Sequence, residues 1–171
     1  MTSIEVQSIS RLPVANSTSL RIYDTKRSFY GLRSTYPIPD LLSKCKWITV
    51  ETSSYNPLKL LGAKLGSHHS NQNIEKLTFA DSSFDIVITS DVMEHVRLDD
   101  DAHREIQRVL KPGGFYIFTV PSNRDDSETR TLENEFHADT SGGKSLAYRV
   151  YGKDLDRKLN DLGFDVRYEY Q

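Results

Sequence analysis

The stretch Phe84-Asp85-Ile86-Val87-Ile88-Thr89-Ser90-Asp91-Val92-Met93-Glu94-His95 runs from a nearly unbroken apolar segment straight into acidic and histidine side chains. A short apolar run without alternation is the pattern of a strand covered on both faces, as in a parallel sheet. Directly downstream, Asp99, Asp100 and Asp101 precede Ala102, Ile106, Val109 and Leu110. Those four apolar residues share one face of a helix, and the aspartates stand where a helix N-terminus favours negative charge. Lys111-Pro112-Gly113-Gly114 stops that helix, and Phe115 to Val120 is a second buried strand. A strand–helix–strand unit of this kind places ligands beyond the carboxyl ends of its strands. Polar residues at the end of the first strand are therefore candidate site residues.

Working outward, Leu20 to Asp24 and Trp47 to Glu51 have the composition of further strands. Between them the pattern from Thr25 to Lys44 is weak, and Pro37 and Pro39 interrupt any long helix. Asn56-Pro57 followed by Leu58, Leu61 and Leu65 predicts a short helix with proline at its first position. Gly66 to Gln72 reads as a polar loop, and Asn73 to Thr78 as a short edge-like strand. Ser122 to Ser145 is a long polar connection, of the length that is usually functional or disordered. Lys153 to Leu162 predicts a helix stopped by Gly163, and Phe164 to Tyr170 a terminal strand. Residues 1–18 are polar and unpatterned, which predicts a flexible arm before one domain over residues 19–171. The alternation gives an α/β fold, a mostly parallel sheet with helices on both faces. Its strand ends would bring Asp24, Glu51, Ser90 and Asp91 to one rim.

Bulk properties narrow the partners. The chain has 171 residues and a net charge of −2, which supplies no basic surface for nucleic acid. The single cysteine, Cys45, excludes an internal disulfide. No apolar run approaches the roughly 20 residues of a membrane span, and the N-terminal sequence has no basic segment leading an apolar one. A cytoplasmic protein without a membrane partner is the expectation. The chain lacks the Gly-x-x-x-x-Gly-Lys of nucleotide triphosphatases and the Gly-x-Gly-x-x-Gly of dinucleotide enzymes. No metal site is expected: His68 and His69 are adjacent and point apart, and Cys45, His103 and His137 have no ligand spacing. The three consecutive aspartates do not have the spacing of a calcium loop.

The segments LTFADSSFDIVITSDVMEHV and HREIQRVLKPGGFYIFTVP resemble the class I S-adenosylmethionine-dependent methyltransferases, especially the methyltransferase-11 type. The resemblance covers Leu77 to Pro121. The later EFHADTSGGKSLAYRVYGKDLDRKLNDLGF is similar to a segment of a bacterial subgroup in which a histidine-containing loop precedes the last helix. What the resemblance implies is a Rossmann-like sheet in the order 3-2-1-4-5 and S-adenosylmethionine as cofactor. Asp24 and Thr25 would face its methionine part. Glu51 would accept hydrogen bonds from both ribose hydroxyls, as a carboxylate can. Asn73 and the backbone N–H of Ile74 would meet the adenine. The carbonyls of Thr89 and Ser90 would lie beside the sulfonium.

Two features depart from that family. Its first loop is glycine-rich, whereas here Asp24 is followed by Thr25-Lys26-Arg27-Ser28 and the first glycine is Gly31. Glycines there let backbone approach a ligand closely, so their loss implies weakened or absent cofactor binding. Family members also close with an antiparallel pair of strands, while this chain has one strand after its last helix. The C-terminal end is then shortened, or the final strand is supplied differently; an uncovered edge would invite a homodimer. For chemistry, a histidine near neutral pKa is the usual base for a hydroxyl acceptor. His95 and His137 are the candidate bases, Asp91 the group that positions an acceptor, and Glu94 a structural or solvent-facing residue. Two functions follow. One is a methyltransferase acting on oxygen or nitrogen of a small-molecule or glycan-type acceptor. The other is a catalytically inactive methyltransferase-like binding or assembly module.

Overall fold

The computed structural model describes residues 2–8, 20–26, 48–123, 125–138 and 144–169. Its main sheet has eight strands: β1 (Thr2–Ser8), β2 (Leu20–Lys26), β3 (Ile48–Ser54), β4 (Lys64–Gly66), β5 (His69–Asn71), β6 (Phe84–Ser90), β7 (Leu110–Val120) and β10 (Phe164–Glu169). They stand in the order β10-β1-β7-β6-β2-β3-β5-β4. A separate two-stranded sheet pairs β8 (Arg130–Ala138) with β9 (Lys144–Val150). The strands β5, β3, β2, β6 and β7 all run parallel. They reproduce the expected 3-2-1-4-5 order.

The closing strand has an unusual source. Residues 2–8, which read as part of an unpatterned arm, form β1 and lie antiparallel between β7 and β10. Val6 pairs with Tyr116 on one side and Val166 on the other. The strand next to β7 is thus supplied from the other end of the chain, and β10 forms the edge beyond it. The flank of β7 that invited a partner subunit is covered from within. Five of its seven residues are hydrophilic, with only Ile4 and Val6 apolar, so the strand has little apolar pattern to show.

One core organises the well-packed half. Phe84 and Val87 on β6, Tyr116, Phe118 and Val120 on β7, and Phe164 on β10 are buried. Against them pack Ala102, Ile106 and Val109 of α1 (Asp99–Val109) and Leu155 and Leu159 of α2 (Asp154–Asp161). The helix α1 ends as the sequence predicts, and Leu110 is already extended. Gly113 has φ +77°, a conformation side chains disfavour. A Cβ on Gly114 would lie 2.9 Å from the carbonyl oxygens of both Asp85 and Lys111. The two glycines thus fold a bulge between Phe84↔Leu110 and Ile86↔Phe115, which seats β7 beside β6.

Three expectations fail in the middle of the chain and beyond. No helix forms over Asn56–Leu65; two successive turns stand there, with Leu58 93% and Leu60 84% exposed. The turns are held by a polar anchor. The buried Asn71 amide donates to the carbonyls of Asn56, Lys59 and Leu60, and its Oδ1 accepts from the Asn56 N–H. These bonds outweigh a marginal helical pattern, since an isolated short helix is weak in water. The third strand of the parallel set is not Asn73–Thr78 but β5, inside the stretch read as a polar loop. Asn73–Lys76 is a tight turn that still buries Ile74 and Leu77. The long connection Ser122–Ser145 holds the whole of β8 and the start of β9 rather than being structureless.

Candidate functional site at the strand ends

Because β2, β3, β5, β6 and β7 are parallel, their carboxyl ends meet on one side. Thr25 pairs with Ser53 and Thr89, Lys26 with Ser90, Ser90 with Thr119, and Ser54 with Asn71. The backbone of Asp24 and Thr25 therefore lies at the rim, next to Thr89 and Ser90. The expected contacts of Asp24, Thr25 and His137 rest on side chains outside the described residues. So does the loop that follows Lys26.

Glu51 does not close its strand. β3 runs three residues further, to Ser54. Its carboxylate is partly accessible, with 24% of the side chain exposed, and lies 3.4 Å from Nδ1 of His68. Asn73 follows β5, where Gln72 N–H donates to the Ser54 carbonyl. Its Oδ1 accepts from the Glu75 N–H at 3.0 Å, which uses one of the two lone-pair directions available to a ligand. The side chain of Ile74 is buried in the core, so only its backbone can serve the rim.

The end of β6 carries the densest polar cluster. Thr89 is fully buried, and its hydroxyl is 3.1 Å from the Tyr116 hydroxyl. What Thr89 offers the rim is its backbone. Ser90 Oγ lies 3.1 Å from Thr119 Oγ1. Asp91 stands at φ +52°, a left-handed conformation that aspartate tolerates better than most residues. Its N–H donates to the Thr119 carbonyl, and its Oδ1 accepts from the Thr119 hydroxyl at 3.2 Å. Burial, then the nearby Glu94 charge, push the Asp91 carboxyl above its ordinary range.

Glu94 and His95 follow in the 3₁₀ turn Met93–His95. Nδ1 of His95 lies 2.7 Å from the Leu146 carbonyl. A carbonyl only accepts, so Nδ1 carries the hydrogen and the tautomer is set. Nε2 then faces Glu94 Oε1 at 3.4 Å. Glu94 is 2% exposed, and its other oxygen, Oε2, has no partner among the described residues. A buried carboxylate oxygen left without a hydrogen-bond partner is costly. Glu94, expected to be structural or solvent-facing, is turned inward. Only its depth behind the β9 strand reveals it.

The hairpin β8–β9 is stapled over this cluster. Arg149 on β9 donates to the carbonyls of Val96 at 2.8 Å and Arg97 at 2.9 Å, and pairs with Asp99 at 3.0 Å. Tyr151 donates to Asp99 Oδ2 at 3.0 Å, and Lys158 of α2 reaches the same oxygen. The backbone of His137 lies on β8 opposite Ser145. The two adjacent histidines point apart as expected. His68 meets Glu51, whereas His69 places Nδ1 2.8 Å from Thr52 Oγ1 and Nε2 3.1 Å from Ser54 Oγ. Burial lowers the His69 pKa, which favours a neutral ring between the two hydroxyls. Among the described residues no group of His, Cys, Asp and Glu is arranged to hold a metal ion.

Residues 38–118 match the methyltransferase domain family. Sarcosine/dimethylglycine N-methyltransferase of Halorhodospira halochloris is 32% identical over 94 residues, which are 53% of this chain and 31% of that protein. The chain thus spans about a third of that curated relative. Among solved structures, the [4+2]-cyclase SpnF superposes with a TM-score of 0.60 at 20% identity, over 88% of this chain and 53% of that one. An S-adenosylmethionine-dependent methyltransferase from Mesorhizobium loti gives 0.57 at 16% identity, over 91% and 78%. At such identities the structural likeness speaks for the fold.

Proposed function

We propose, from the premise that this chain belongs by fold and by its matched domain to the class I S-adenosylmethionine-dependent methyltransferases, that it transfers a methyl group to oxygen or nitrogen of a small-molecule or glycan-type acceptor. The observation that carries this reading is the cluster of Asp91, Glu94 and His95 just past β6, where five parallel strands in the order β5-β3-β2-β6-β7 end side by side. The donor set suits the cofactor. Glu51 can accept from two ribose hydroxyls. Asn73 and the Ile74 N–H would hold the adenine, Asp24 and Thr25 the methionine part, and the carbonyls of Thr89 and Ser90 the region of positive charge. When bound, S-adenosylmethionine supplies a methyl group on a cationic sulfur.

The chain's own residues would then orient and deprotonate the acceptor. His95, held through Nδ1 by the Leu146 carbonyl, is the first candidate base, and His137 the second. Asp91, raised in pKa by burial, is suited to a hydrogen bond with an acceptor hydroxyl or amine. Alignment does most of the work in such a displacement. An amine acceptor would be in keeping with the sarcosine/dimethylglycine relative. The cytoplasm is the compartment this chemistry fits.

A second reading is a binding or assembly module without catalysis. It is favoured by Lys26 at the end of β2, where the family has glycine, and by the [4+2]-cyclase among the structural neighbours, which shares the fold under a different chemistry. Titration calorimetry with S-adenosylmethionine and S-adenosylhomocysteine separates the two. The enzyme reading expects saturable binding that Glu51→Ala weakens at least about tenfold, roughly the worth of a charge-assisted hydrogen-bond pair. It also expects label transfer to some member of an amine, phenol and glycan panel, lost in His95→Gln with cofactor affinity kept. Absence of heat and of any thermal shift at saturating ligand establishes the module instead.

A further inference from the structure

The turns between β3 and β5 expose apolar surface with a consistent charge around it. Tyr55 is 51% exposed, Leu58 93%, Leu60 84%, Leu61 38% and Leu65 37%. Isolated exposed leucines are ordinary, but five large apolar side chains within eleven residues form a patch of the kind that marks a binding surface. Lys59 and Lys64 stand exposed among them and make no ion pair with the described residues. From Thr52 to Ile74 there is no aspartate or glutamate, in a chain whose overall charge is −2. The segment itself therefore carries apolar and cationic side chains but no acidic one.

Its rigidity argues against an accidental loop. Asn71 holds three of its carbonyls, Gly62 turns at φ +78°, and Gly62 N–H and Ala63 carbonyl both pair with the Asn71 backbone. The leucines are held outward by a buried polar anchor. Tyr55 follows Ser54 directly, so the patch stands on the side where the strands end.

We propose that Tyr55–Gly66 is a membrane-surface docking element, seating Leu58 and Leu60 among the acyl chains of an anionic bilayer with Lys59 and Lys64 on the lipid phosphates. Protein interfaces are depleted in lysine, and leucine is under-represented among their strongest contacts. Protruding leucines flanked by lysines match an interfacial anchor, whose apolar burial and attraction to anionic lipid act together. Long lysine stems allow the ammonium to reach the headgroups while their methylenes stay apolar. No described helix is long and apolar enough to cross a membrane. Attachment from one side needs none, and it revises the expectation that membranes play no part.

The test uses the full chain with vesicles of phosphatidylcholine alone and of phosphatidylcholine mixed with phosphatidylglycerol. Sedimentation is expected to recover the protein with the mixed vesicles and not with phosphatidylcholine alone, with recovery falling as salt rises. The double variant Leu58→Ser/Leu60→Ser should lose at least about tenfold in partitioning, since each side chain would otherwise leave water. Lys59→Glu/Lys64→Glu should abolish the preference for anionic lipid. All four positions are exposed, and an unchanged circular dichroism melt would verify that each variant folds. Failure to bind mixed vesicles, or binding that both double variants retain, overturns the proposal. So does a dimer by light scattering that the leucine variant converts to monomer, because the patch is then covered by a second copy. None of these measurements involves the cofactor, so the outcome stands apart from the methyl-transfer reading.

Discussion

The two halves of the parallel sheet are held by different physics. Around β6, α1 and β7 the side chains of Phe84, Val87, Ala102, Ile106, Val109 and Tyr116 are all fully buried. Order there comes from apolar area removed from water and from close packing. Around β3 and β5 one apolar residue, Val50, is buried beside the polar Ser53, Asn71 and Gln72, while Leu58 and Leu60 lie outside. Gln72 spans to Thr78 by three hydrogen bonds, and Asn71 to the 56–60 turns by four. The first half can lose a polar contact and keep its shape. The second half depends on a few polar residues and can lose a leucine at almost no cost.

The largest expected effect is in the apolar half. Ile106→Ala removes a fully buried side chain at the contact of α1 with the sheet and should cost roughly 4 kcal/mol in urea unfolding. A loss below about 1 kcal/mol would show that this core collapses around the cavity, and the contrast between halves would fail.

His103 sharpens the same region. It is fully buried among Tyr116 and Phe118, both ring nitrogens lack partners among the described residues, and burial lowers its pKa to about 4. Asp99 and Asp100 pull that value up, while Lys158 and Arg149 pull it down. The unfolded chain binds the proton near pH 6.5 and the folded one only near 4. Stability is then full above about pH 6.5 and falls as the pH drops toward 4, by roughly 3 kcal/mol from this group. In His103→Leu that portion of the acid slope should vanish, with neutral-pH stability kept or raised, because two unpaired polar atoms leave the core. A slope unchanged in His103→Leu would assign the acid sensitivity to other groups.

In the polar half, Asn71→Ala should cost roughly 2 kcal/mol by leaving carbonyls and an N–H without their partner. Hydrogen exchange should accelerate first at Asn56, whose N–H ends on the Asn71 side-chain oxygen. Protection retained there would mean that the turns hold themselves. The smallest effect belongs to Leu58→Ala, expected within about 0.5 kcal/mol of the parent despite its being a leucine.

That contrast also explains what could be read in advance. Phe84–Asp91, the aspartates opening α1, its 102/106/109 face and the Lys111–Gly114 stop each act within a few residues of themselves, so periodicity and turn chemistry reported them. Asp91 and His95 were visible because they end a legible strand. The Leu58/Leu61/Leu65 spacing has the right period, but Leu58 stands 93% exposed and the chain turns twice there instead of forming a helix. β5 was missed because His69-Ser70-Asn71 has no strand-like composition; it is a strand through its pairing with Thr52–Ser54. The burial of Glu94 is not legible locally, because the Met93–His95 turn packs against β9, fifty or more residues away.

The sequence by itself determined the strand–helix–strand unit from Phe84 to Val120 and the polar groups at its end, since those follow from local burial patterns and from backbone limits at Gly113 and Gly114. Only the tertiary structure decided that residues 2–8 join β7 to β10 in the sheet, that Asn71 rather than leucine packing orders the turns after β3, and that Glu94 is buried beside His95 with one oxygen unpartnered among the described residues. Each of those depends on a contact between segments far apart in the chain, where no local period carries the information.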